Sequence, residues 1–210
     1  MDTEKMTAFP SEIYLFRNDG TVDNEQVVRA IYSLREQDPE GVHKSNMGGG
    51  WHSNEYLFQD PRFEKLMMFI STCFKMVLED NNYKKEVVGD IDASWAIVNK
   101  HASFNVAHVH ANTDWSCCFY PRMPAGDPGR IVFKDPRSAK SMVDHSKYLD
   151  NYDSLAQHSV LALTPYEEEL VIFPAWLEHE VHPNNTNEDR IALACNIQLK
   201  LEGKDEKGGY

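Results

Sequence analysis

The chain has 210 residues, enough for one well-buried domain and cramped for two. Hydrophobic residues make up 41% and charged residues 26%, which is ordinary globular usage. The formal net charge of −12 argues against a nucleic-acid partner, because a phosphate backbone wants a basic face. No apolar run approaches the roughly 20 residues that span a bilayer, so no membrane partner is expected.

The four cysteines, Cys73, Cys117, Cys118 and Cys195, fit neither a disulfide framework nor a CxxC zinc site. Reduced, buried thiols are expected. The run Met1-Asp2-Thr3-Glu4-Lys5 lacks the basic and apolar regions of a signal peptide. A cytoplasmic protein is the expectation.

Residues 11 to 16 read as a first strand, and Asn18-Asp19-Gly20 as a turn. Thr21 or Asp23 can cap a helix over roughly 24 to 36, with Val27, Val28, Ile31 and Leu34 on one stripe. The segment 38 to 55 is polar and glycine-rich, with Gly48-Gly49-Gly50 favouring neither helix nor strand. Its Trp51 is expected to fold back onto the core. A second helix is predicted from near Pro61, with Leu66, Met67, Ile70, Phe74, Val77 and Leu78 on its buried face.

From about residue 87 the pattern changes to short strands: 92 to 99, 104 to 110, 114 to 120, 130 to 134, 159 to 164, 169 to 173, 179 to 182 and 190 to 199. Helices followed by many short strands predict a mainly β (α+β) sandwich or barrel with helices on its outside. One domain over 1–210 is expected. It comprises N-terminal support over 1–86, a core over 87–200 and a flexible tail over 201–210. The polar stretch 135 to 157 reads as a lid or binding loop.

The chemistry concentrates in two blocks. In His108-Val109-His110 an extended backbone puts both imidazoles on one face. About seventy residues on, Phe173-Pro174-Ala175-Trp176-Leu177-Glu178-His179-Glu180-Val181-His182-Pro183 offers a third imidazole, His179 or His182. Three histidines from two strands make an open metal site, with positions left for substrates. A structural zinc site would close with a fourth ligand. In a strand from 190 onward, Arg190, Ala192, Ala194 and Asn196 share a small, polar face, and Ile191, Leu193, Cys195 and Ile197 share the core face. A guanidinium at the entrance of such a face suits a small carboxylate, which it binds through two parallel hydrogen bonds. The competing use of Arg190 is a surface ion pair with Asp189 or Glu188. Tyr120 can donate a second hydrogen bond to the same anion.

These residues resemble the Fe(II)- and 2-oxoglutarate-dependent oxygenases, most closely those of marine bacteria and their phages. The resemblance covers roughly residues 45 to 198. It rests on Gly49-Gly50-Trp51-His52-Ser53, on Ser94-Trp95 with Asn99, on His108 to Tyr120, and on Phe173 to His179. The segment from His179 to Arg190 is also similar to prolyl hydroxylases, as is Cys118-Phe119-Tyr120 followed by Gly129 to Phe133.

The resemblance implies a double-stranded β-helix, the jelly-roll or cupin-like fold. It implies Fe(II), 2-oxoglutarate and O2 as the reacting set, with ascorbate as a supporting reductant. It also implies roles: His108, His110 and His179 on iron, with Arg190 and Tyr120 on the far carboxylate of 2-oxoglutarate. The implied reaction couples decarboxylation to succinate and CO2 with hydroxylation of a small-molecule or peptide substrate, including a prolyl group.

Two positions depart from the family pattern. Most members carry H-x-D where this chain has His110, with Asp114 as an alternative carboxylate. Many carry a serine where this chain has Ala192. Two other readings stand beside the first: a three-histidine cupin dioxygenase that does not use 2-oxoglutarate, and a non-catalytic jelly-roll binding module.

Overall fold

The computed structural model describes residues 2–137 apart from Lys5, together with Ala139, Met142, Tyr148 and residues 159–202. Most of the predicted lid at 135 to 157 and of the tail at 201 to 210 therefore lies outside the described residues.

Two helices precede the main run of strands. Helix α1 (Asn24–Gln37) is capped by Asp23, whose carboxylate accepts from the Gln26 amide at 3.0 Å. Helix α2 (Glu64–Asp80) follows a 3-10 turn at Pro61–Phe63. The predicted stripes are the buried faces. Val27, Val28 and Ile31 are buried on α1, and Leu66, Met67, Ile70, Phe74, Val77 and Leu78 on α2.

The strands are β1 (Tyr14–Arg17), β2 (Asn46–Met47), β3 (Trp51–His52), β4 (Val87–Asn99), β5 (Phe104–His108), β6 (Trp115–Arg122), β7 (Ile131–Lys134), β8 (Val160–Leu163), β9 (Glu169–Pro174), β10 (His179–Val181) and β11 (Arg190–Leu201). They form a six-stranded sheet, β1-β9-β6-β11-β4-β3, and a five-stranded sheet, β2-β5-β10-β7-β8. All named pairings are antiparallel. This is the double-stranded β-helix that the resemblance implies, within the sandwich-or-barrel class that the strand pattern predicts.

Period-two alternation divides the interior into two cores. On β6, Trp115, Cys117 and Phe119 face α1 and α2, whereas Cys118 and Tyr120 face the second sheet. On β9, Leu170 and Ile172 take the helix side, and Val171 and Phe173 the opposite one. On β11, Ile191, Leu193, Cys195 and Ile197 take the helix side, and Ala192 and Ala194 the other. The helices thus stiffen the outer face of the large sheet, and the inner face is left to line a site. Ile70→Ala removes a fully buried side chain from the helix-side core. It is expected to lower unfolding free energy by about 2–5 kcal/mol, read from the urea midpoint, without altering the cavity described below.

The glycine-rich segment corrects one expectation. It is not wholly irregular: β2 pairs with β5 and β3 pairs with β4, so it joins both sheets. Gly48 makes the turn between them at φ +65, and a Cβ there would sit 2.5 Å from the Ala102 carbonyl oxygen. Trp51 is buried as predicted, and its indole N–H donates to the Asp38 carbonyl at 2.8 Å.

Candidate active site

Two strands of the smaller sheet deliver the histidines. His179 opens β10 and pairs in register with His108 at the end of β5. His110 lies just beyond β5, where its amide donates to the Ala175 carbonyl at 3.0 Å. That bond ties the H-x-H block to the turn preceding His179. The three rings converge, with a nitrogen of each within 4.8 Å of the others, an arrangement able to hold a metal ion.

The opposite ring nitrogens are spoken for. His108 Nδ1 lies 2.7 Å from the Val106 carbonyl, and His179 Nδ1 lies 2.9 Å from the Leu177 carbonyl. A carbonyl only accepts, so these Nδ1 atoms carry the hydrogen and each Nε2 presents a lone pair. His110 Nδ1 lies 2.8 Å from Asn196 Oδ1, and His110 Nε2 is 3.3 Å from His179 Nε2.

The two alternatives left open by the sequence lie outside this cluster. His182 is outside the cluster and faces Glu180 at 3.4 Å with its side chain half exposed. Asp114 spends its carboxylate on the Leu199 amide at 2.8 Å and is also outside the cluster.

Burial disfavours protonation of all three rings. His108 is held below the ordinary histidine value of 6.5. His110 is lowered to about 4 and His179 to about 3, first by burial and then by the charge of a protonated His108. Neutral imidazole is the ligating form. The same shifts set the stability of metal-free protein. Below pH 6.5 the unfolded chain takes up protons on these rings that the folded chain refuses, so stability falls with pH from there toward about 3. Above about pH 7.5 these groups contribute no slope. Urea midpoints of chelator-treated protein at pH 8, 6.5 and 5 check this, and excess zinc should shift the whole series upward.

The rings line a cavity of about 540 Å³ whose walls also include half-exposed Lys44 and Glu55 and buried Tyr120 and Arg190. Arg190 is only 3% exposed. The ion pair proposed as its competing use is absent, because Asp189 is taken by Arg35 at 3.1 Å and by the Tyr32 hydroxyl at 3.2 Å. Arg190 Nε and Nη1 and the Tyr120 hydroxyl are buried with no hydrogen-bond partner among the described residues. The guanidinium carbon sits 5.5 Å from the Tyr120 ring centre. Burial, and then the neighbouring Cys118, push the Tyr120 hydroxyl well above its ordinary value, so it remains a donor. A fully buried cation with unsatisfied donors is expensive to maintain. An anion with two acceptor oxygens would satisfy these donors.

Sequence reasoning did not anticipate the aromatic wall. Trp95 stacks between His52 and His110, with centroids 5.7 Å apart on both sides and interplanar angles of 10° and 21°. The period-two pattern of β4 alone could have aimed Trp95 inward, opposite Ala96 and Val98. The Lys44–Glu55 ion pair at 3.1 Å was also missed, because it joins two loop residues across β2 and β3.

The family described as "Putative 2OG-Fe(II) oxygenase" matches residues 93–196, the stretch that holds all three histidines, Tyr120 and Arg190. No curated protein matches the sequence. Among solved structures, the chain is similar to a Pseudomonas putida prolyl-4-hydroxylase (11% identity, TM-score 0.58, covering 90% of this chain and 92% of that one). It is also similar to the viral collagen prolyl hydroxylase of Paramecium Bursaria Chlorella virus-1 (10%, TM-score 0.53, 88% and 95%). A third is HygX from Streptomyces hygroscopicus, solved with nickel and 2-oxoglutarate bound (10%, TM-score 0.56, 90% and 83%). At these identities the structures speak for the fold. Residues 93–196 carry the sequence pattern of the 2-oxoglutarate- and Fe(II)-dependent oxygenase family, whose members are enzymes that use Fe(II), 2-oxoglutarate and O2. No helix among the described residues is long and apolar enough to cross a membrane.

Proposed function

We propose that this chain hydroxylates a C–H bond of a small molecule or a peptide side chain, with iron held by His108, His110 and His179. The observation that carries the reading is Arg190: a buried, unpaired guanidinium in the same cavity as the three inward-facing imidazoles. The donor set fits the group. Three neutral nitrogen ligands suit a first-row divalent metal, and Nε and Nη1 of Arg190 with the Tyr120 hydroxyl fit the far carboxylate of 2-oxoglutarate. Bound together, the family's reactants supply oxidative decarboxylation to succinate and CO2 coupled to substrate hydroxylation.

The protein's own tasks divide by position. Arg190 and Tyr120 bind and orient the cosubstrate from the buried part of the lining. Phe173, Ile131, Ala192 and Ala194 make that part apolar and exclude water. Ala192 also leaves room where a serine would have placed a hydroxyl. Trp95 and His52 form a flat, buried aromatic wall, and Val106 and Val109 are half-exposed apolar residues of the lining. The likeness to prolyl hydroxylases favours a peptidyl group as the first substrate class to screen.

The test is an anaerobic titration of Fe(II)-loaded protein with 2-oxoglutarate. The expected result is a weak visible charge-transfer band and, on admitting O2, succinate. Neither band nor succinate with any substrate tried would sink the proposal. Oxygen uptake that needs no 2-oxoglutarate would favour a three-histidine dioxygenase acting directly on its substrate. Failure to retain iron or zinc would favour a binding module.

A further inference from the structure

His110 and Asn196 together pose a proton-placement problem. His179 has its hydrogen on Nδ1, given to the Leu177 carbonyl at 2.9 Å, so its Nε2 is a lone pair. His110 Nε2 lies 3.3 Å from that lone pair. Two lone pairs at this distance repel unless something positive lies between them. Two arrangements satisfy the pair. With a metal present, both Nε2 atoms are ligating lone pairs, His110 carries its hydrogen on Nδ1, and Asn196 Oδ1, which lies 2.8 Å from that nitrogen in this structure, accepts it. Without a metal, His110 can donate from Nε2 to His179. Its Nδ1 is then a lone pair, and the group on Asn196 must donate.

An amide serves both arrangements. Half a turn exchanges its C=O for its NH2 in the same place, which a carboxylate or a hydrocarbon cannot do. We propose that Asn196 is the positioning residue for His110, presenting its NH2 in the metal-free protein and its C=O in the loaded one. Metal binding therefore moves one proton of His110 from Nε2 to Nδ1 through water, and the ring stays neutral throughout. The pair of states keeps a part-buried polar cluster satisfied before and after loading. It also bears on how this site works with a third imidazole where most relatives have a carboxylate. A carboxylate needs no choice of tautomer, whereas an imidazole ligand does, and Asn196 makes that choice. This inference rests on the three-histidine reading above.

The experiment follows histidine tautomers by 15N–1H correlation in chelator-treated and Zn(II)-loaded protein, zinc being diamagnetic and redox-silent. It pairs this with Zn(II) affinity by chelator competition for wild type, Asn196→Leu and Asn196→Asp. We expect His110 to be Nε2–H without zinc and Nδ1–H with it. Asn196→Leu keeps the side chain's approximate size and loses about tenfold or more in zinc affinity. Asn196→Asp, which can only accept, restores affinity to wild type or better and shows Nδ1–H at His110 even without zinc. The same His110 tautomer in both wild-type states would overturn the proposal. So would wild-type affinity in a folded Asn196→Leu protein. If Asn196→Leu fails to fold, the tautomer of metal-free Asn196→Asp decides alone, and Nε2–H there overturns it. Wild-type protein that binds no zinc fells the three-histidine reading and this inference with it, whereas wild-type binding with unchanged variants fells only this one.

Discussion

Arg190→Leu is expected to weaken 2-oxoglutarate binding by about 100-fold or more while leaving metal affinity within a few-fold. Truncating one partner of a buried charged pair costs roughly 2–5 kcal/mol, and each 1.4 kcal/mol is a factor of ten. The guanidinium is already desolvated and in place, with Nε and Nη1 unspent, so little ordering remains to be done on binding. The same preorganisation predicts an opposite sign for stability. Removing an unpaired buried charge relieves a desolvation cost, so ligand-free Arg190→Leu should melt no lower than wild type. Tyr120→Phe deletes one neutral donor and should cost only about tenfold. Calorimetric titration of Mn(II)-loaded protein measures the affinities, and thermal unfolding of the ligand-free proteins measures the rest. Parallel loss of metal, cosubstrate and melting temperature would make Arg190 a structural residue and remove the main support for the cosubstrate reading.

Local patterning carried much of the site into view. The alternation on β11 put Arg190 with Ala192, Ala194 and Asn196 on a polar face, and the cores divide along that line. The helical stripes of α1 and α2 and their approximate ends followed from side-chain period and from the Asp23 and Pro61 signals. What stayed illegible depends on contacts between distant segments. Nothing local distinguishes His179 from His182. The pairing of β10 with β5 sets His179 opposite His108 and leaves His182 beside Glu180, which is what groups His179 with the H-x-H pair. Asp114, offered by the sequence as a carboxylate near the pair, instead accepts from the Leu199 amide of β11. Asp189 was a plausible partner for Arg190 until α1 supplied Arg35. In both cases a long-range bond took the group that sequence proximity had offered, and it freed or removed a candidate site residue.

His110 carries the second large expectation. His110→Ala should reduce Fe(II) or Zn(II) affinity by about 100-fold or more, since it removes one of the three proposed ligands and the ring that Asn196 faces. His110→Asp should recover at least a tenth of the lost affinity, because a carboxylate is a good ligand for these ions and offsets one of the two charges on the metal. That offset has a consequence for the cosubstrate. A site of three neutral ligands keeps the full double charge, and the attraction it exerts on an anionic chelate is strong in a buried cavity. His110→Asp should therefore bind 2-oxoglutarate more weakly than wild type even when fully loaded with metal, while Arg190 and Tyr120 are untouched. Competition with a chromophoric chelator gives the metal affinities, and titration of the loaded proteins gives the rest. A His110→Ala protein with wild-type metal and 2-oxoglutarate affinity would remove His110 from the metal. An Asp variant that binds metal well and 2-oxoglutarate better than wild type would keep the ligand but overturn the charge argument. The third imidazole would then owe its place to shape rather than to electrostatics.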